Sequence, residues 1–164
     1  MASERQLDMM YMDIAERVSQ MSVGKRAKVG ALIVKDGNIR SFGWNGTPSG
    51  FDNCCEEEVH QVCPLESNLV TKPDVVHAEM NAFSKILKSG GASIDGATLY
   101  ITMSPCFDCA KLIIQSGIKL VIFRDAYRKT ESIKMLQEAD VNVIRLATDG
   151  EYMGPYPTNE EKEV

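Results

Sequence analysis

No apolar run in the 164 residues approaches the ~20 that a membrane-crossing helix needs. The opening "MASERQLDMMYMDIAERVSQM" is charged throughout and lacks the apolar block of an export signal. Repeats and low-complexity tracts are missing, apart from a short acidic end, "NEEKEV". A broad basic face is missing too: the net charge is −5 and the pI about 5.1. A protein working on a nucleic-acid polymer needs such a face to neutralise phosphates, so that class of partner is disfavoured. Positive charge gathers only locally, in "GKRAK" (Lys25, Arg26, Lys28) and "FRDAYRK" (Arg124, Arg128, Lys129). Small groups of this kind suit one small anion, or simply a solvated surface. Histidine is scarce, at two residues, and the five cysteines are an odd number in a chain large enough to do without disulfide staples. Metal binding or catalysis in the cytoplasm is the expectation, with no membrane partner.

The composition is ordinary for a globular domain, 44% hydrophobic and 25% charged, and the length suits one domain spanning 1–164. Leu7, Met10, Tyr11, Ile14, Ala15 and Val18 recur at helical spacing. "VGALIVKDGNIRSFGWN" reads as a hairpin turning at Asp36-Gly37. A helix follows in "VVHAEMNAFSKILKSGG", with Val76, Met80, Phe83, Ile86 and Leu87 as its apolar face. Strand "ATLYIT", helix "CFDCAKLIIQSG", strand "KLVIF", helix "TESIKMLQEA" and strand "VNVIRL" complete the chain. The order α-β-β-α-β-α-β-α-β predicts a three-layer α/β/α fold around a five-stranded mixed sheet. Residues 46–73 show no period, yet carry three cysteines and one histidine, so they read as a long functional loop. Residues 151–164 read as a tail.

"SPCFDC" places Cys106 and Cys109 three apart at a helix start, with Ser104 as cap and Pro105 at the first helical position. That spacing serves a redox dithiol and a metal site equally well. Upstream, "HAE" supplies His77, and with two thiolates it completes three ligands of the kind zinc prefers. Three protein ligands plus water mark a catalytic zinc, whereas structural sites close with four. His77 and Glu79 lie two apart and would diverge on an ideal helix. They can converge if His77 sits in the first turn and the metal lies over the helix end, which a cap at Asp74 would permit.

"HAE…PCFDC" resembles the H-x-E…P-C-x-x-C pattern of zinc-dependent nucleobase deaminases, and the predicted order of elements is similar to the cytidine deaminase-like fold. In that family the residue matching Glu79 binds no metal. It carries a proton from the attacking water to N3 of cytosine, and then to the exocyclic amine that leaves as ammonia. "GWNGTPSGFDNCCEE" narrows the resemblance to deoxycytidylate (dCMP) deaminases of the regulated type, through Gly43-Trp44-Asn45-Gly46 and Cys54-Cys55-Glu56. The resemblance runs from "KVGALIV" through "HAEMNA" to "SPCFDCAKLIIQSGIKLVIF".

What it implies is hydrolysis of dCMP to dUMP, feeding thymidylate synthesis. It implies activation by dCTP and inhibition by dTTP at a separate site, with Mg²⁺ beside the triphosphate, in a homo-hexamer. Asn45 then reaches the substrate sugar, Ala78 is assigned to the substrate, and the Ser104 carbonyl meets the amino group. Trp44, Asn45, Gly46, Cys54, Cys55 and Glu56 become candidates for the regulatory site. Arg26 and Lys28 before the first strand, and Arg124, Tyr127 and Arg128 after the fourth, are candidates for phosphate. Of these, Tyr127 and Arg26 are assigned to the substrate and Lys28 to the effector. Cys55, His60 and Cys63 could hold a second, structural zinc. Three readings compete with this one: a zinc deaminase of cytidine, tRNA adenosine or a pterin-type metabolite, a silent zinc-binding module, and a redox dithiol.

Overall fold

The computed structural model describes residues 1–60, 67–127 and 130–154. Helix α1 (Glu4–Ser19) opens with a capping box, in which the Ser3 hydroxyl accepts from the Gln6 amide and the Gln6 side chain accepts from the Ser3 amide. Strands β1 (Gly30–Lys35) and β2 (Asn38–Trp44) form the expected hairpin. Its turn residues, Asp36 and Gly37, both adopt positive φ, at 52° and 71°. A second hairpin, β3 (Glu56–His60) and β4 (Ser67–Thr71), comes out of the stretch that showed no period. The remaining order is α2 (Ala78–Lys88), β5 (Thr98–Met103), α3 (Phe107–Gln115), β6 (Leu120–Asp125), α4 (Glu131–Glu138), β7 (Asn142–Leu146) and β8 (Tyr152–Met153). Among the described residues no helix is long and apolar enough to cross a membrane.

The main sheet runs β2-β1-β5-β6-β7-β8. β5, β6 and β7 are parallel, while β1 runs antiparallel to both β2 and β5. Its sixth strand corrects the expected five. Residues counted as tail supply it, because β8 pairs antiparallel with β7, and the Tyr152 hydroxyl donates to Asp8 at 2.8 Å. Buried residues of α2, α3 and α4 pack on one face with Ile33, Leu99, Ile101, Val121 and Phe123. The other face packs Leu32, Val34, Tyr100 and Ile122 against Tyr11, Met12 and Ala15 of α1.

Both longer amphipathic helices turn differently from the sequence expectation. On α1 the buried residues are Asp8, Tyr11, Met12 and Ala15, while Leu7 and Met10 are exposed. Asp8 can be inward because the Tyr100 hydroxyl donates to it at 2.5 Å and the Tyr152 hydroxyl to its other oxygen, satisfying the carboxylate. On α2 the small residues Ala78 and Ala82 face the sheet beside Phe83, and Met80 and Leu87 point out. Arg124 also departs from its assignment as a phosphate candidate. It is buried within β6, donates to Glu16 at 2.8 Å and to the Leu146 carbonyl at 3.1 Å, and serves the α1 face.

Glycine explains how closely α2 approaches β2. A Cβ on Gly43 would stand 2.2 Å from the Ala78 carbonyl oxygen and 2.5 Å from the Ala82 nitrogen. The Ser41 hydroxyl then reaches the Ala82 carbonyl at 2.7 Å, and the Asn81 amide reaches the Trp44 carbonyl at the same distance. Gly43→Ala is expected to force the helix outward at a cost of about 1–3 kcal/mol, typical of overpacking. Urea unfolding reads this as a lower midpoint at constant slope, and an unmoved midpoint would show that the contact is not binding.

Candidate active site

The difficulty over His77 and Glu79 is resolved by where α2 begins. His77 itself is the N-cap, with extended backbone (φ −70°, ψ 158°), and Asp74 is not. The imidazole makes no capping bond, so it is directed elsewhere, while Glu79 enters the first turn and is buried. α3 begins in the same way. Its N-cap is Cys106, also extended and without a side-chain capping bond, rather than Ser104. Pro105 consequently lies outside the helix, and the Ser104 hydroxyl instead accepts from the Tyr127 amide at 2.7 Å.

Two helix N-termini thus bring three donors together. His77 Nδ1 lies 3.4 Å from Cys106 Sγ and 3.5 Å from Cys109 Sγ, and the three ligand atoms all fall within 4.8 Å of one another. A tetrahedral zinc with Zn–S near 2.3 Å and Zn–N near 2.0–2.1 Å separates S and N by about 3.5 Å, so this set fits that ion. The positive ends of both helices favour thiolate here. The hydrogen bond from Cys109, joined by His77, holds Cys106 down to about 4 against burial, while the same bond and burial push Cys109 up. The thiol contact also raises His77, against desolvation. Burial pushes the Glu79 carboxyl up to about 7, against its own backbone amide and His77.

The donors open into a cleft of about 460 Å³ beyond the C-terminal ends of β5 and β6, where open α/β sheets hold ligands. Arg26, Asn45, Ala78, Ser104 and Tyr127, the residues assigned to substrate from the sequence, all line it, together with Glu79, His77 and Cys106. Thr71 lines it as well. Sequence reasoning missed Thr71 because nothing in an aperiodic stretch marks one threonine.

Asn45 is partly committed to the chain. Its Oδ1 accepts from the Val29 amide at 2.8 Å and its Nδ2 donates to the Ala27 carbonyl at 3.0 Å. The regulatory candidates run from the end of β2 to the start of β3. Trp44 stacks on Phe42 at 6.4 Å, with the Lys85 ammonium 4.3–4.4 Å from both ring centroids. Gly46 bridges Val76, tying this strip to the segment before α2. Cys54 is exposed and its thiol donates to the Glu56 carbonyl at 3.2 Å. Cys55 is buried, and burial pushes its thiol up. The buried Glu56 carboxylate accepts from the amides of Lys25 and Arg26, in the loop where Lys28 is exposed. The proposed second zinc cannot be placed, since Cys63 and the His60 side chain lie outside the described residues, as do Arg128 and Lys129.

The family model for the cytidine and deoxycytidylate deaminase zinc-binding region matches residues 5–125. The chain therefore belongs to the cytidine and deoxycytidylate deaminase family, whose members are hydrolytic deaminases. The deoxycytidylate deaminase of Enterobacteria phage T4 is 37% identical, over 73% of this chain and 78% of that one. The mouse deoxycytidylate deaminase is 40% identical, over 74% of this chain and 66% of that one. The crystal structure of dCMP deaminase from the cyanophage S-TIM5, in complex with dCMP and dUMP, superposes with a TM-score of 0.78 at 47% identity, covering 88% of this chain and 99% of that one.

Replacing Glu79 separates the chemistry from the metal site. Glu79→Gln should keep one zinc per chain, measured by elemental analysis, and lose deaminase turnover by about 10²- to 10⁴-fold, the worth of a positioned acid–base group. Turnover within a factor of two of the parent protein would remove Glu79 from the reaction.

Proposed function

We propose that this chain hydrolyses dCMP to dUMP and ammonia. The observation that carries the reading is Glu79, a buried carboxyl in the wall of one cleft and two residues from a His-Cys-Cys donor set. A silent zinc module has no need of that carboxyl, and a redox dithiol has no need of His77 or Glu79. The names of the relatives, and the nucleotides bound to the cyanophage enzyme, support dCMP over cytidine or a tRNA base.

His77, Cys106 and Cys109 would hold zinc, whose chemistry there is Lewis-acid activation of water. Glu79 takes the proton that the attacking water gives up and delivers it to N3 as the C4–O bond forms. A second proton, from the hydroxyl now on C4, passes through Glu79 to the exocyclic nitrogen; the C4–N bond breaks, the C4 carbonyl forms and ammonia leaves. Atoms balance as dCMP plus water giving dUMP plus ammonia. Ala78 packs beside the base and the Ser104 carbonyl receives the amino group. Asn45 turns its remaining N–H to the sugar. Arg26 and Tyr127, exposed at the cleft mouth, meet the phosphate.

The finer assignment is regulation. In this reading dCTP with Mg²⁺ activates and dTTP inhibits, at a site drawn from Lys28, Trp44, Asn45, Gly46, Cys54, Cys55 and Glu56. The chain acts as a single domain in a cytoplasmic homo-hexamer that supplies dUMP for thymidylate synthesis. The deciding experiment follows dUMP formation from dCMP by the zinc-loaded protein, with and without dCTP. Turnover that rises with dCTP and falls with dTTP is expected. Turnover indifferent to both would leave the enzyme and remove the regulatory site, while no turnover in any condition would return cytidine and the binding module to first place.

A further inference from the structure

Two residues of the 46–73 stretch, Glu56 and Thr71, bear on the cleft in a way that the regulatory reading of Glu56 does not explain. Glu56 and Thr71 stand directly opposite each other across the β3–β4 ladder. One oxygen of the buried Glu56 carboxylate accepts from the backbone amides of Lys25 at 2.8 Å and Arg26 at 3.1 Å. Across the strand pair, the Thr71 hydroxyl accepts from the Arg26 guanidinium at 3.1 Å. A single cross-strand pair therefore grips Arg26 at both ends, by its amide and by its side chain. Arg26 and Thr71 both line the cleft, and a guanidinium with one N–H bound still has four to offer an anion.

We infer that Glu56 and Thr71 are positioning residues that set the Arg26 guanidinium at the cleft mouth for the phosphate of a nucleoside monophosphate, and so set the preference for nucleotide over nucleoside. The inference rests on the reading of Arg26 as a phosphate group proposed above. An arginine on a loop samples many rotamers, and each must be frozen out before it can meet a phosphate with two parallel bonds. Fixing the amide removes backbone freedom. Fixing one guanidinium N–H removes rotamer freedom while leaving the opposite edge of the fork open. A lysine could not be held in this way and still present a planar edge. Glu56 thereby serves the substrate side as well as the proposed effector region.

The test compares kcat/KM for dCMP with kcat/KM for deoxycytidine, which differs only in lacking the phosphate, using the zinc-loaded full chain. Thr71→Val removes the hydroxyl at constant shape and is expected to reduce the dCMP preference by about three- to tenfold, the scale of one hydrogen bond, through KM. Thr71→Ser should restore it. In an Arg26→Ala background, Thr71→Val should add nothing, because the group it positions has gone. Glu56→Gln, which keeps an acceptor toward the two amides, should retain the preference, and Glu56→Ala should lose it. Where Glu56→Ala does not fold, the threonine series decides alone. An unchanged preference in Thr71→Val, a loss falling equally on both substrates, or a loss additive with Arg26→Ala would each overturn the clamp alone. If Arg26→Ala itself keeps the preference, the phosphate reading of Arg26 fails and takes the clamp with it. If the parent protein turns over neither substrate, the proposed reaction fails first.

Discussion

Two helix N-termini meeting at one point are the constraint on which this molecule depends. α2 and α3 each begin at a residue whose side chain abandons the usual capping role, His77 in one and Cys106 in the other. An N-cap ordinarily turns its side chain back onto the helix amides. Here the amides and the helix dipoles are left as a positive field around two thiols and an imidazole, which lowers the cost of thiolate where a cation is to be held. Because the donors come from two helices, their separation is set by how those helices lie on the sheet. Gly43, Ser41 and Asn81 fix α2 against β2, and Ala110 and Ile113 seat α3 in the core.

The two faces of the sheet divide the work. One carries α2, α3 and α4 and all of the donor set. The other carries α1 and is tied by buried polar groups: Asp8 between two tyrosine hydroxyls, and Arg124 between Glu16 and the Leu146 carbonyl. Partner removal at such sites strands a buried charge, so these ties specify how α1 and the edge strand dock. They also explain why a basic residue close in sequence to the cleft takes no part in it.

The loop between α1 and β1 is an irregular part of the cleft wall and is held by side chains from outside it. Asn45 binds it at residues 27 and 29, and Glu56 binds it at residues 25 and 26. Each grip comes from a different element, the end of β2 and the start of β3. A loop built of unpaired backbone gains definition only where such polar groups are lent to it, and this one carries Arg26 to the mouth of the cleft.

The sequence by itself determined the order of the main elements and the β1–β2 turn, and it singled out His77, Cys106, Cys109 and Glu79 as candidates, because each of these is written in local spacing or in residue chemistry. Asp36-Gly37 marks its turn through the conformations its residues tolerate, and two cysteines with a distant histidine name a metal through their ligand atoms. Tertiary structure alone decided the rest. Which helix faces turned inward depended on partners remote in sequence, such as the tyrosines that satisfy Asp8. The β3–β4 hairpin had no period to announce it, and the short β8 formed because β7 offered an edge. Whether His77 and Glu79 could converge was settled by the residue at which α2 begins, and how closely that helix lies on the sheet was set by Gly43 on β2, remote in sequence.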